Sequence, residues 1–168
     1  MSKKDYQKFA AEKLAALYEL QDYERVLAAL YEVDPSFKAV APAKFGMEFL
    51  GLRLAVACHA WARGCRDNHV KDSGVENLFL KTVMQSFQSP KFVDIAAVFS
   101  EYLHAPKSVS EQPLLPVAGL MMRRLGLGER MGSVQEPVLT PAFKILVEIA
   151  ESLKSAFENE FFDFCFSS

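Results

Sequence analysis

From Lys44 to Arg66 the chain is apolar on almost every side of a helical wheel, and no other segment constrains the fold so tightly. Met47, Leu50, Leu54, Cys58, Trp61 and Cys65 recur at helical spacing as one stripe, and Phe45, Phe49, Leu52 and Val56 form a second. Such a helix has to be surrounded by other elements, because burying each large apolar side chain is worth roughly 1.5–3 kcal/mol. Gly51, Ala55, Ala57, Ala60 and Gly64 keep its surface thin, so neighbours can approach closely. Glu48, Arg53 and His59 interrupt the run, which therefore falls short of the roughly 18 consecutive apolar residues that suggest a membrane span. Glu48 and His59 lie about 16 Å apart along a helix axis, too far to pair with each other. Each of the three is expected to meet a neighbouring helix or reach an edge, since an unpaired buried charge is costly.

Helical periodicity recurs on both sides of this segment, while period-two alternation of β-branched residues is nowhere sustained. Ser2 can cap a first helix whose apolar face is Tyr6, Phe9, Ala10, Leu14, Leu17 and Leu20. Tyr23 to Val33 reads as a second helix, ended by Asp34-Pro35. Further helices are predicted over Val75–Gln88, over Pro90–His104 behind a Ser89-Pro90 start, and over Pro113–Leu125. Thr140-Pro141 opens a long last helix with Phe143, Leu146, Val147, Ala150, Leu153 and Phe157 on one face. Arg66–Gly74, Ala105–Gln112 and Gly126–Leu139 read as the irregular connections. The expected fold is all-α: a single-domain bundle of six to seven helices, residues 1–168, around the apolar helix at about 44–66.

The chain has 168 residues, 51% of them hydrophobic and 24% charged, which suits one domain with a substantial core. A net charge of −2 advertises neither nucleic acid nor an anionic membrane as a partner. No apolar stretch follows Lys3-Lys4, so a signal peptide is not expected. Three cysteines without framework spacing suggest free thiols in a reducing compartment, and the expected location is cytoplasmic.

Several constellations suggest chemistry but do not complete it. Ala15 to Leu27 followed by Asp34-Pro35 looks like a tetratricopeptide hairpin, yet its second helix is a turn short and no second copy follows. Glu101-x-x-His104 has the spacing of a di-iron ligand pair but lacks the second such pair that those bundles need. Cys58, Cys65 and His69 do not have the tight Cys-x₂₋₄-Cys spacing of a structural zinc site. No metal and no cofactor is expected. Gly126-Leu127-Gly128 follows a helix rather than a strand, so Gly126 reads as a helix-ending residue and not as a phosphate loop. Two minor alternatives stay open: a small-molecule or catalytic pocket between helices near Cys58, His59 and Trp61, and an anion or nucleic-acid contact through Arg123, Arg124 and Arg130.

The C-terminal segment carries the leading functional expectation. Phe161, Phe162, Phe164 and Phe166 fall within six residues, at a position where chains are usually polar. Four exposed rings would forgo roughly 6–12 kcal/mol of burial, so something has to cover them. If the last helix continues, Phe161 and Phe164 extend its apolar stripe while Phe162 and Phe166 lie off it. If the chain is extended, Phe162, Phe164 and Phe166 share one side and suit a groove or a sheet edge. The expected function is a non-catalytic accessory or adaptor module, monomeric or oligomeric, contacting another protein or a second copy through this 158–168 segment.

Overall fold

The computed structural model describes residues 2–20, 22–105, 114–131 and 140–166, and every regular element among them is helical. In chain order these are α1 (Lys3–Glu19), α2 (Tyr23–Val33), a 3₁₀ turn (Pro35–Ala39), α3 (Pro42–Asp67), α4 (Ser73–Glu76) and α5 (Leu78–Ser86). They are followed by α6 (Val93–Leu103), α7 (Leu115–Arg124), a second 3₁₀ turn (Gly128–Met131) and α8 (Pro141–Phe166). The all-α bundle expected from the sequence is the observed fold, with α3 at its centre and α6 and α8 as its principal neighbours. Most of the loops expected at Ala105–Gln112 and Gly126–Leu139 lie outside the described residues.

Local chemistry explains several of the helix ends. Ser2 and Asp5 form a reciprocal capping box, with the Ser2 amide donating to Asp5 Oδ2 at 2.8 Å. The Phe143 amide donates to Thr140 Oγ1 at 3.2 Å, so Thr140-Pro141 starts α8 as its sequence suggests. At the end of α7 the Leu127 amide reaches the Met122 carbonyl and the Gly126 amide reaches Arg123, both at 2.9 Å. That double bond set turns the chain through a left-handed residue, and Gly126 adopts φ +81° without strain. The end of α3 is built the same way, with Val70 bonding Cys65 and His69 bonding Arg66, but His69 takes the left-handed position at φ 55°.

Two helices start or break where periodicity alone does not place them. The segment expected as one helix over Val75–Gln88 is divided at Asn77. The Trp61 indole donates to the Val75 carbonyl at 2.8 Å, diverting that acceptor from the helix ladder at the break. The helix expected from Pro90 begins instead at Val93, after a turn closed by the Phe92 amide on the Ser89 carbonyl at 3.0 Å. Phe92 anchors that turn by stacking on Tyr18 of α1, with ring centroids 3.9 Å apart.

Glycines set how closely α3 is approached. A Cβ at Gly51 would lie 2.7 Å from Val98 Cγ1 of α6, and one at Gly64 would lie 2.7 Å from Phe161 Cδ1 of α8. Both distances are well below carbon–carbon contact, so α6 and α8 rest directly on the α3 backbone at these points. Alanine is favoured over glycine in a helix by about 1 kcal/mol, whereas overpacking a tight core costs about 1–3 kcal/mol. Phe161 is fully buried and has no room to yield. Gly64→Ala should therefore lower stability by about 1 kcal/mol net, despite its better helix propensity. Chemical denaturation followed by the fluorescence of Trp61, the only tryptophan, measures this; a stabilised variant would mean that the contact is loose.

Candidate functional site

The four C-terminal phenylalanines are divided by the helix that carries them. Because α8 continues to Phe166, Phe161 and Phe164 turn inward and Phe162 and Phe166 turn outward. Phe161 is fully buried, edge-on to Trp61 at 4.9 Å and 6.2 Å from Phe9. Phe164 is half-buried against α1, stacked on Phe9 at 4.1 Å and edge-on to Tyr6 at 5.3 Å. Ion pairs from Glu160 to Lys13 at 2.6 Å and from Glu158 to Arg63 at 3.6 Å hold the same turns of α8 against α1 and α3.

Phe162 is 52% and Phe166 67% exposed, and their rings lie 4.5 Å apart, one helical turn from each other. Together they form a two-ring apolar edge on the last turns of α8. Glu158, Glu160 and Asp163 occupy these turns, but Glu158 is paired with Arg63 and Lys154 and Glu160 with Lys13, so at least two of the three carboxylates are already answered by cations of the same chain.

The region around Trp61 is a packing centre. Trp61 is fully buried among Phe9, Phe79, Phe157 and Phe161, and its indole N–H is satisfied by Val75. Cys58 is buried on the same helix and His59 is half-buried. The two cavities described below are lined by other residues. One, of about 460 Å³, lies between α1, α3 and the start of α6, where Tyr18, Leu20, Tyr23, Met47, Arg53 and Lys91 are among its lining residues. The other, of about 440 Å³, lies between α2 and α8 over Val26, Ile145, Ile149 and Leu153. Periodicity does not announce either cavity, because each needs residues from elements far apart in sequence.

The arginines considered for an anion contact are also separated. Arg123 is exposed on the last turn of α7, and the side chain of Arg130 lies outside the described part of the structure. Arg124 faces inward, its Nε donating to Glu48 Oε2 of α3 at 2.7 Å. That carboxylate oxygen also accepts the Tyr102 hydroxyl of α6 at 2.9 Å. The hydrogen bond to Glu48 holds the Arg124 guanidinium further above its ordinary range, while burial beside Glu48 pushes the Tyr102 phenol up. The arrangement clamps α6 and α7 onto α3 through one buried carboxylate. Arg53 plays a similar part on the opposite run of α3: it donates to the Leu20 carbonyl at 3.2 Å, pairs with Asp22, and lies 4.2 Å from the Phe49 ring centre. It fastens the α1–α2 turn to the central helix.

Among the described residues no three His, Cys, Asp or Glu side chains are grouped to hold a metal ion, and no helix is long and apolar enough to cross a membrane. His104 caps α6, its Nδ1 2.8 Å from the Ser100 carbonyl. Compared with protein-family profiles, curated proteins and solved structures, the chain matches none.

All three cysteines are free thiols, and burial pushes each of them up, Cys65 to about 12. A thiol at that value is about one part in ten thousand thiolate at pH 8, and thiolate is the reactive form. The neutral thiols stabilise the fold below their unfolded pKa near 8.5, and that contribution is lost as pH rises above it. Ellman's reagent at pH 8 should react slowly with at most Cys165 in the native chain and with all three after unfolding. Rapid native labelling of Cys58 or Cys65 would contradict this packing.

Proposed function

We propose that this protein is a non-catalytic helical interaction module whose contact is the Phe162–Phe166 edge of α8. The observation that carries the reading is the pair of large exposed rings, adjacent on one helix face, beside two phenylalanines that the core already holds. Rings one turn apart are the anchor spacing of an amphipathic helix seated in an apolar groove. With Glu158 and Glu160 already ion-paired, the contact is chiefly apolar, and it suits an apolar groove on another protein.

Fully burying the exposed parts of two phenylalanines is worth roughly 2–4 kcal/mol, or about 30-fold to 1,000-fold in affinity. A photo-reactive phenylalanine analogue at position 166 identifies the contact in extracts of the source cells, and the adduct partner is then purified for direct titration. The double variant Phe162→Ser/Phe166→Ser should weaken that binding at least about 30-fold while moving the thermal midpoint little, because neither ring belongs to the core. Added salt should change the wild-type affinity little, because the contact is apolar. Equal affinity of variant and wild type would reject this edge as the contact. Adducts only between copies, with a light-scattering mass that doubles, would reject a different protein as the partner in favour of self-association.

A further inference from the structure

We propose that the cleft between α1, α3 and α6 binds a small amphipathic monoanion, an apolar ring or chain bearing one carboxylate or sulfonate. The inference is independent of the interaction edge on α8. At about 460 Å³ the cleft falls within the range of small-ligand sites, about 300–1,000 Å³. Its walls are largely apolar or aromatic, with Tyr18, Tyr23, Leu50 and Ile95 half-buried and Leu20 and Met47 among the exposed large apolar side chains. Gly46 lets the Tyr23 ring lie against the α3 backbone, since a Cβ there would sit 3.1 Å from it.

The polar groups of the lining select the sign of the ligand. Arg53 is 3% exposed, and its Nε is buried without a hydrogen-bond partner among the described residues. Once the side chains covering it shift, an acceptor oxygen makes a bond there that is otherwise unmade, the kind of deficit that buried donors rarely carry. Asp22 already answers the guanidinium charge, so what Arg53 offers is a directed donor rather than a net charge. A second donor is Lys91, a cation that lies 5.2 Å from the Phe92 ring centre and makes no ion pair among the described residues. Asp94, the carboxylate in the lining, balances Lys91 in formal charge, so an anion is favoured by the positioned donors of Arg53 and Lys91 and by the N-terminal dipole of α6 rather than by a net charge. An apolar body between the tyrosines and Met47, with one anionic group toward Lys91 and Arg53, meets all of these groups at once.

The test titrates the full-length chain with 1-anilinonaphthalene-8-sulfonate and with its neutral analogue N-phenyl-1-naphthylamine, following probe fluorescence. The anionic probe should bind at one site and more tightly than the neutral one. Lys91→Glu, at an exposed position, should weaken the anionic probe about tenfold and leave the neutral probe within about twofold. Met47→Ser should weaken both probes. Phe162→Ser/Phe166→Ser should weaken neither, which separates this cleft from the edge on α8. Thermal unfolding of each variant verifies its fold. The proposal is overturned if Lys91→Glu leaves the anionic affinity unchanged, if the two probes bind equally, or if the double phenylalanine variant removes the signal.

Discussion

The contact between Gly64 and Phe161 is the point on which the rest of the molecule depends. With no side chain at 64, α8 lies close enough for Phe161 to stand edge-on against Trp61. Trp61 in turn gathers Phe9 from α1, Phe79 from α5 and Phe157 from α8. Aromatic pairs of this geometry add about 0.5–1.5 kcal/mol each beyond the area they bury. One residue on the central helix thus ties three surrounding helices together, and its indole N–H ends a fourth, α4, by taking the Val75 carbonyl. The orientation of the C-terminal turns follows: with Phe161 inward, a helical backbone has no choice but to turn Phe162 and Phe166 outward.

The polar residues of α3 do the complementary work at its other stations. Glu48 draws in Tyr102 and Arg124, and Arg53 draws in Leu20 and Asp22. Buried charges of this kind add little net stability compared with apolar packing, but removing one partner leaves the other stranded. Their effect is to fix which face of each neighbour meets the central helix. Apolar contact alone, being non-directional, does not do this.

How far the sequence reaches follows from the range of the forces involved. Local signals were legible: the Ser2 and Thr140 caps, the left-handed Gly126 after α7, and the apolar wheel of α3 are each set by residues within one or two turns. The division of the four phenylalanines was legible for the same reason, once the helix was taken to continue. What periodicity could not give were long-range choices. Arg124 finds Glu48 across 76 positions of sequence, and Arg53 finds Asp22 across 31. Neither pairing has a local signature, so Arg124 read as a surface cation beside Arg123. The Asn77 break and the late start of α6 were missed because distant rings, Trp61 and Tyr18, decide them. The cleft above Arg53 was missed because its walls come from four helices and the turns that join them.

One phenylalanine of the C-terminal cluster, Phe161, is a keystone, and its immediate neighbour Phe162 is not. Denaturant unfolding monitored by Trp61 fluorescence, comparing Phe161→Ala with Phe162→Ala, measures the difference directly. Emptying the fully buried site should cost about 3–5 kcal/mol, and truncating the exposed ring should cost within about 0.5 kcal/mol. Comparable losses from the two substitutions, or a Phe161→Ala variant as stable as the parent, would contradict the account.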